Sequence, residues 1–331
     1  MKKLILRDVG DGLNLLIKKD GIYNLVVDFG GDKNLDCFVF FIDSFLLTHF
    51  HNDHYNGILK CNANNSLWYL NNFYHPIMPK FQDNKLFFMY LLAMNIRVTK
   101  NHPIQNTILG FVRKLNRTPL NFIPIGTGDI IFCGNSKYEI LWPPKELKEE
   151  DTLMQIKTAI IDFERAKEID STLKDIYQNI EKLYSDKNIN ELNEIEIETA
   201  TDAIQEETSN EFSETIRTAN DSLRRAANRL SVAFRQDDNI LFLGDLEKNE
   251  INHVVDELVK QHKITYKILI AAHHGTHWGN SLKSIKCKIC LASVGESLRS
   301  HIKNDYKNIS NKFIRTDLWG DIKILNKVEI K

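Results

Sequence analysis

Short apolar runs separated by turn residues predict a series of β-strands in the first part of the chain. Four of them, KLILRDV, LNLLIKK, YNLVVDFG and CFVFFIDSFLLTH, lie between residues 3 and 49 and are rich in β-branched or aromatic residues. Runs of this kind, bounded by Gly, Asp or Asn, are typical of strands. The pattern returns in NFIPIGTGDIIFCGNSKYEILWPP and, after residue 225, in RLSVAFRQ, NILFLGD, YKILIAAHHG, KCKICLASVG and IKILNKVEIK.

Helical periodicity occupies the intervals between these strands. KLFFMYLLAMNI and ILGFVRKLNR are patterns that favour helices. One further helix is expected to run to about Lys263, and another helical stretch is expected between KCKICLASVG and the last strand. Two halves built of strands followed by helices predict an α/β fold in which two sheets pack face to face, with helices outside.

An acidic stretch interrupts the strand pattern. From about Lys145 to Asn220 the chain is nearly free of Gly and Pro and is helically patterned. We interpret residues 146–224 as an acidic helical insertion, and residues 1–145 and 225–331 as the two parts of one domain. The composition favours a solvated helical hairpin, and the alternative is an arm that binds a partner protein or a second copy of this chain.

Composition and charge narrow the class of protein. The 43 basic and 44 acidic residues give a net charge of −1, which provides no global attraction for a polyanion. No apolar run reaches the roughly 18 residues of a membrane span, and the apolar start is too short for a secretory signal. The odd number of cysteines, five, suits reduced thiols in the cytoplasm. Cys287 and Cys290 have a zinc-knuckle spacing, but KCKICLASV is interpreted as a buried strand.

Four side chains that bind metals follow the fourth strand in THFHNDHYNG. His49 and His51 are two positions apart, so an extended backbone projects both imidazoles in the same direction. Asp53 and His54 lie in the turn that opens a helix, where they can face a second ion. The sequence therefore predicts a centre of one or two metal ions.

Two later strands end in residues of the same kind. NILFLGDLEK places Asp245 directly after a strand, and its two carboxylate oxygens could bridge two cations. YKILIAAHHG ends in His273 and His274. His273 emerges first from the strand and is the preferred ligand, with His274 as the alternative.

The order THxHxDHxxG, GD and a final His resembles the metallo-β-lactamase superfamily. VVDFGG, EILWPP, NRLSVAFR, ILFLGDLEK, ILIAAHHGTHWGN, CLASVG and TDLWGDIKI are similar to the hydrolase domain of ComEC-type DNA-uptake proteins and their stand-alone relatives. The resemblance covers roughly residues 1–145 and 225–331. It implies a four-layer αββα sandwich and two divalent ions, Zn²⁺ or Mn²⁺, held by His49, His51, Asp53, His54, Asp245 and His273.

This sequence departs from the family pattern in three respects. Many superfamily members have a further metal-binding His, and here His75 and His102 are the candidates for it. ComEC-type domains tend to have Gly-His-Pro after the SVG strand, whereas this chain has His301 in a different context, as a possible substrate-facing residue. The transmembrane channel of ComEC proteins is absent, so DNA uptake is not implied.

Together these features predict a hydrolase that uses hydroxide formed from water bound to the ions. Asp53 would orient the nucleophile, and His274 or His301 would contact the substrate or the leaving group. The resemblance implies a phosphodiesterase or nuclease acting on DNA, preferably single-stranded. The alternatives are hydrolysis of a small molecule such as a cyclic nucleotide, lactone or thioester, and a subunit of a multi-protein system, for example against phage, that recruits a partner through the insertion.

Overall fold

The computed structural model describes residues 2–19, 22–31, 33, 40–59, 68–98, 121–184 and 212–325. These ranges include most of both predicted parts of the domain and the two ends of the insertion. The predicted helix ILGFVRKLNR and the Glu-rich middle of the insertion lie outside the described residues.

Two mixed sheets of seven strands each form the centre of the fold in the described part of the chain. The strands of the first sheet are β1 Lys2–Leu6, β2 Leu15–Lys19, β3 Ile22–Val27, β4 Phe40–Leu46, β5 Trp68–Pro76, β6 Asn121–Ile125 and β14 Ile322–Leu325. Those of the second sheet are β7 Ile130–Cys133, β8 Ser136–Trp142, β9 Ala233–Gln236, β10 Ile240–Phe242, β11 Thr265–Ile270, β12 Lys286–Ala292 and β13 Ser310–Arg315.

Each sheet changes from antiparallel to parallel pairing partway across. The first has the order β14-β1-β2-β3-β4-β5-β6 and is parallel from β3 to β6. The second has the order β13-β12-β11-β10-β9-β8-β7 and is parallel from β10 to β13. All three predicted metal-binding segments therefore follow the carboxyl ends of strands with parallel neighbours, where ligand sites form in α/β proteins.

Consecutive apolar residues give each sheet two buried faces. Leu4 and Leu6 of β1 belong to a core between the two sheets, whereas Ile5 belongs to a second core that also includes helix residues. This arrangement requires apolar side chains on both faces of the strand, as the KLIL run provides.

The helices complete the outer layers. Their bounds are α1 Asn56–Leu59, α2 Asn84–Val98, α3 Glu150–Ile169, α4 Ser171–Tyr184, α5 Glu214–Asn228, α6 Lys248–Lys260 and α7 Thr316–Trp319. The predicted αββα sandwich is confirmed. Within the described ranges, no helix combines the length and the apolar character that crossing a bilayer requires.

The helices of the predicted insertion share the main hydrophobic core. Phe163 of α3 is fully buried and stacks on Tyr90 of α2, with ring centroids 4.0 Å apart. Ile176 of α4 and Leu223 of α5 are buried in the same core. These helices thus pack more closely than the solvated hairpin that their acidic composition suggests, and the predicted boundary at residue 224 falls inside α5.

One predicted element is wrong, and one prediction about cysteines is confirmed. Residues 310–315, within the region expected to be helical, form β13 at the edge of the second sheet, parallel to β12. Ile314 alone among them is buried, so the polar sequence conceals the strand. Cys287 and Cys290 lie buried in β12 as free thiols.

Candidate metal centre

Three strand ends bring the predicted ligands together. The turn after β4 carries His49, Asp245 follows β10, and His274 follows β11. The Val232 N–H donates to the Thr48 carbonyl at 2.8 Å and joins the two sheets at this point, and on the second-sheet side the Asp245 N–H donates to Ser231 Oγ at 3.0 Å. Segments near residues 50, 245 and 273 therefore meet at one edge of the sandwich.

The first candidate ligand group consists of His49, His54 and Asp245. One ligand atom from each lies within 4.8 Å of the others, and all three residues are buried. Nε2 of His54 is 3.3 Å from Oδ2 of Asp245. Nε2 of His49 is buried without a hydrogen-bond partner. Buried polar atoms are rarely left unpaired, so this nitrogen fits a bound cation.

The second group consists of Asp53, His54 and His274, whose ligand atoms again lie within 4.8 Å of one another. Nε2 of His274 is 3.5 Å from Oδ2 of Asp245. Asp245 thus contacts histidines of both groups, as a bridging carboxylate must. We call His49, Asp53, His54, Asp245 and His274 the central cluster.

Hydrogen bonds outside the cluster fix its ring orientations. Oδ2 of Asp28 is 2.7 Å from Nδ1 of His54, so this nitrogen carries the proton and Nε2 points to the cluster. Asp28 is itself held by the backbone N–H and the hydroxyl of Thr48, at 2.8 and 2.6 Å. His274 Nδ1 donates to the Ser293 carbonyl at 3.0 Å, which leaves its Nε2 unprotonated when the ring is neutral.

Burial keeps two of the histidines neutral. It lowers the pKa of His49 well below its usual value. It also lowers the pKa of His51 to about 4, an effect that Asp53 opposes and the Arg224 guanidinium reinforces. A neutral imidazole has the free lone pair that a metal ion requires.

His54 differs because carboxylates flank it. Burial disfavours its charged form, but Asp245 and Asp28 outweigh burial and hold the pKa of His54 well above its usual value. Burial likewise disfavours the ionised form of Asp245, but His274 and His54 outweigh it and keep the pKa of Asp245 well below the usual range. In the absence of a cation, His54 therefore holds a proton that an ion would displace.

The two adjacent histidines after β11 point to different places. Both adopt left-handed backbone angles, with φ of 47° at His273 and 59° at His274. His274 is buried in the central cluster, whereas the side chain of His273 is 23% exposed and its Nε2 is 3.8 Å from Asp245 Oδ2. The geometry places His274 in the group where the sequence favoured His273, and the metal role of each stays a prediction.

His51 lies beside the cluster but contacts an arginine. Its Nδ1 is 3.4 Å from Oδ1 of Asp53, and its Nε2 accepts a hydrogen bond from Nε of Arg224. Arg224 is an exposed residue of α5. Sequence reasoning missed Arg224, because no local pattern distinguishes this arginine from its neighbours on the helix.

The remaining histidine candidates lie apart from both ligand groups. His75 is buried against Phe50 and Phe73, and its Nδ1 donates to the Pro76 carbonyl at 3.1 Å. His301 is exposed, with Nδ1 3.1 Å from the Ser300 hydroxyl. His102 lies outside the described residues.

A glycine of VVDFGG allows the first turn to approach β3. A Cβ atom on Gly30 would lie 1.5 Å from the carbonyl oxygen of Asp53. The Phe29 N–H donates to the His54 carbonyl at 2.8 Å in the same place. Any side chain at position 30 would displace the Asp53–His54 segment from the cluster.

The sandwich and its buried His/Asp cluster together indicate a metal-dependent hydrolase in general terms. No family model matches this chain, and no curated protein matches it in sequence.

Solved structures give weak similarities. A protein of unknown function from Enterococcus faecalis V583 is 11% identical over 82% of this chain and 49% of that chain, with a TM-score of 0.32. A beta-lactamase domain protein from Burkholderia ambifaria is 15% identical over 39% of this chain and 41% of that one, with a TM-score of 0.21. This chain thus spans about half the length of the first and less of the second, and the fold assignment depends on the strands and helices themselves.

Proposed function

We propose that this protein is a metal-dependent phosphodiesterase that cleaves the backbone of DNA, with single-stranded DNA as the preferred substrate. His274 replaces His273 in the proposed ligand set, because His274 is buried and its Nε2 faces Asp245 at 3.5 Å. The two divalent ions, zinc or manganese, would be held by His49, His51, Asp53, His54, Asp245 and His274.

The hydrogen bond from Arg224 to His51 is the observation that carries the choice of an anionic substrate. A guanidinium is permanently charged, and its planar set of donors matches the oxygens of a phosphate group. Nε2 of His51 cannot both accept from Arg224 and coordinate an ion, since it has one lone pair. Coordination by His51 would free Arg224 to bind a phosphate at the rim of the cluster.

The surrounding residues have distinct roles in this proposal. When bound, the ions would supply Lewis acidity, which makes water a nucleophile near neutral pH. The Asp53 side chain is 33% exposed, so it can reach both the cluster and an incoming water, which it would orient. Asp28 and the Ser293 carbonyl hold the rings of His54 and His274 in the orientations that coordination requires.

A nuclease assay tests the proposal. Purified protein is incubated with labelled single-stranded DNA, duplex DNA, RNA and a generic phosphodiester, in zinc and in manganese, beside the Asp53→Ala variant. We expect fastest cleavage of single-stranded DNA and loss of cleavage in the variant. Cleavage that persists in Asp53→Ala would contradict the mechanism, and cleavage of the generic diester without any of DNA would contradict the substrate.

The near-neutral charge of the chain favours a second candidate, hydrolysis of a small molecule. With 43 basic and 44 acidic residues, the chain as a whole does not attract a polyanion. Binding to DNA through neutralised phosphates weakens steeply with salt. Hydrolysis of a lactone, thioester or cyclic nucleotide at a rate that salt does not change would favour this candidate.

Exposed apolar side chains on α3 support a third candidate, recruitment of a partner protein. Met154 and Ile161 are 65% and 52% exposed and lie two turns apart on one face of the helix. Because α3 contributes to the core, a double Met154→Lys, Ile161→Lys variant tests this candidate better than deletion. We expect the variant to lose the partner while hydrolysis continues, and retention of the partner would contradict the candidate.

A further inference from the structure

A second group of metal-type side chains lies beside the central cluster. Glu247, His273 and His277 each offer a ligand atom, and the three atoms lie within 4.8 Å of one another. None of the three belongs to the ligand set proposed above. We call Glu247, His273 and His277 the outer triplet.

Nitrogen and oxygen acceptors crowd around one nitrogen of the outer triplet. Nδ1 of His277 is 3.0 Å from Nδ1 of His273, 3.4 Å from Oε2 of Glu247 and 3.3 Å from the Leu246 carbonyl oxygen. A neutral imidazole has at most one N–H on this nitrogen, which can satisfy one of these neighbours well. A cation would satisfy all of them.

The spacing suits a small divalent ion. Ligand atoms around a tetrahedral zinc ion, with bonds of about 2.0–2.1 Å, lie about 3.3–3.4 Å apart. The separations of 3.0 and 3.4 Å from Nδ1 of His277 are close to that spacing. Two imidazoles and a carboxylate form a common ligand set for zinc, with the fourth position left to water or to the Leu246 carbonyl.

The backbone holds the outer triplet in place before any ion arrives. The Tyr306 hydroxyl donates to the His277 carbonyl at 2.6 Å, and the Thr276 hydroxyl donates to the His273 carbonyl at 2.7 Å. The three side chains are each about one quarter exposed, at 23% to 25%, so an ion can reach them from solvent.

We infer that Glu247, His273 and His277 form a separate binding site for a divalent cation such as zinc, in addition to the ions of the central cluster. His273 lies between the two sites: its Nδ1 faces His277, and its Nε2 is 3.8 Å from Asp245 Oδ2. An ion in the outer triplet would hold the His273–His277 turn, and with it the neighbouring His274.

The competing interpretation is a hydrogen-bonded chain from Glu247 through His277 to His273, without an ion. The two differ in the number of ions bound. Metal-stripped full-length protein is loaded with Zn²⁺, desalted and analysed for zinc per chain by mass spectrometry. The variants are His277→Gln, Glu247→Gln, Asp245→Asn in the central cluster, and His262→Gln, an exposed histidine that serves as the matched control.

We expect His277→Gln and Glu247→Gln each to bind one zinc ion fewer than the wild type, and His262→Gln to bind the wild-type number. Asp245→Asn should keep one ion, which a second substitution, His277→Gln, removes. Wild-type zinc content in both His277→Gln and Glu247→Gln would overturn the outer site and leave the proposed function standing. Loss of all zinc in Asp245→Asn would also overturn the outer site.

Misfolding of a single variant is excluded by a second readout. Co²⁺ added to the Asp245→Asn protein should give the visible absorption of a tetrahedral site, and thermal unfolding should move to higher temperature in its presence. Neither change should occur when His277→Gln is added. Identical cobalt spectra with and without His277 would overturn the inference.

Discussion

The turns after β4 and β11 both carry histidines, but they direct the histidine side chains differently. In the turn after β4, His49 and His54 both enter the central cluster, and His51 lies beside it against Arg224. In the turn after β11, the neighbours His273 and His274 both have positive φ. Nδ1 of His273 faces His277 of the outer triplet, whereas Nε2 of His274 faces Asp245. The spacing of His49 and His51 predicted a shared direction, yet His51 lies in neither ligand group, and the directions of His273 and His274 follow from their backbone angles.

Alanine substitutions of His274 and His273 test the difference between these two neighbours, and they have the largest expected effect. We expect His274→Ala to lower the rate of hydrolysis by more than about 100-fold, since losing a ligand exceeds the 10- to 100-fold effect of losing an outer partner. His273→Ala should retain most of the rate. The measurement is kcat/KM on the best substrate found for the wild type. A larger loss of kcat/KM in His273→Ala than in His274→Ala would support His273 as the metal ligand, as the sequence favoured.

The first turn depends on a carboxylate that no ion would touch. Asp28→Asn replaces the acceptor that fixes Nδ1 of His54 at 2.7 Å. We expect metal affinity to fall by about 10- to 100-fold, as for other partners of metal-binding histidines. Competition with a chromophoric chelator measures it, with Asp256→Asn, an exposed acid of α6, as the control. Equal affinities in the two variants would show that Asp28 does not act through His54.

The contact between Arg224 and His51 predicts a change in substrate binding. Arg224→Ala should raise KM for a phosphodiester by about tenfold or more, because a hydrogen bond to a charged group contributes about 1.5–3 kcal/mol. Arg225→Ala removes the adjacent exposed arginine of α5 and should leave KM unchanged. Metal content should be the same in both variants. An equal KM in the two variants would remove the reason for proposing an anionic substrate.

The central cluster and the outer triplet should also differ in their response to pH. Although burial disfavours their charged forms, the pKa of His54 is raised by Asp245 and Asp28, and the pKa of His274 is raised by Asp245. Metal binding to the central cluster must therefore release the protons of these two histidines, and affinity should rise by up to about tenfold per pH unit for each proton until the raised pKa values are passed. Burial lowers the pKa of His273 to about 3, so the outer triplet has no such proton on this residue. Calorimetry in buffers of different ionisation enthalpy counts the protons released.

The same pKa shift has the opposite consequence for the metal-free fold. A raised pKa of His54 stabilises the folded state fully below the usual histidine value of about 6.5, and this stabilisation is lost as pH rises through the raised pKa. Unfolding of metal-free protein in denaturant should therefore show stability falling with pH above neutrality, less so in Asp28→Asn. A stability that rises over this range in the wild type would contradict the assignment.

Sequence alone determined the layered fold and the meeting of distant segments. Continuous apolar runs such as those in KLIL and NILFL identify strands with two buried faces, and these strands form the two sheets. The predicted meeting of residues near 50, 245 and 273 followed from ligand-type side chains placed directly after strands. The strands could be predicted because side-chain period and turn residues are read from consecutive positions. The meeting of the three segments is not local, and it was predicted from the order of the motifs along the chain. The edge strand β13 was not predicted, because Ile314 alone of its residues is buried.

The tertiary structure decided which nitrogen faces which neighbour. His273 and His274 are adjacent, so no period separates them, and their directions depend on left-handed φ values of 47° and 59°. Arg224 reaches His51 across 173 positions of chain, and Asp28 reaches His54 across 26. Contacts of this kind arise when separately formed elements pack, so a pattern confined to neighbouring residues cannot predict them.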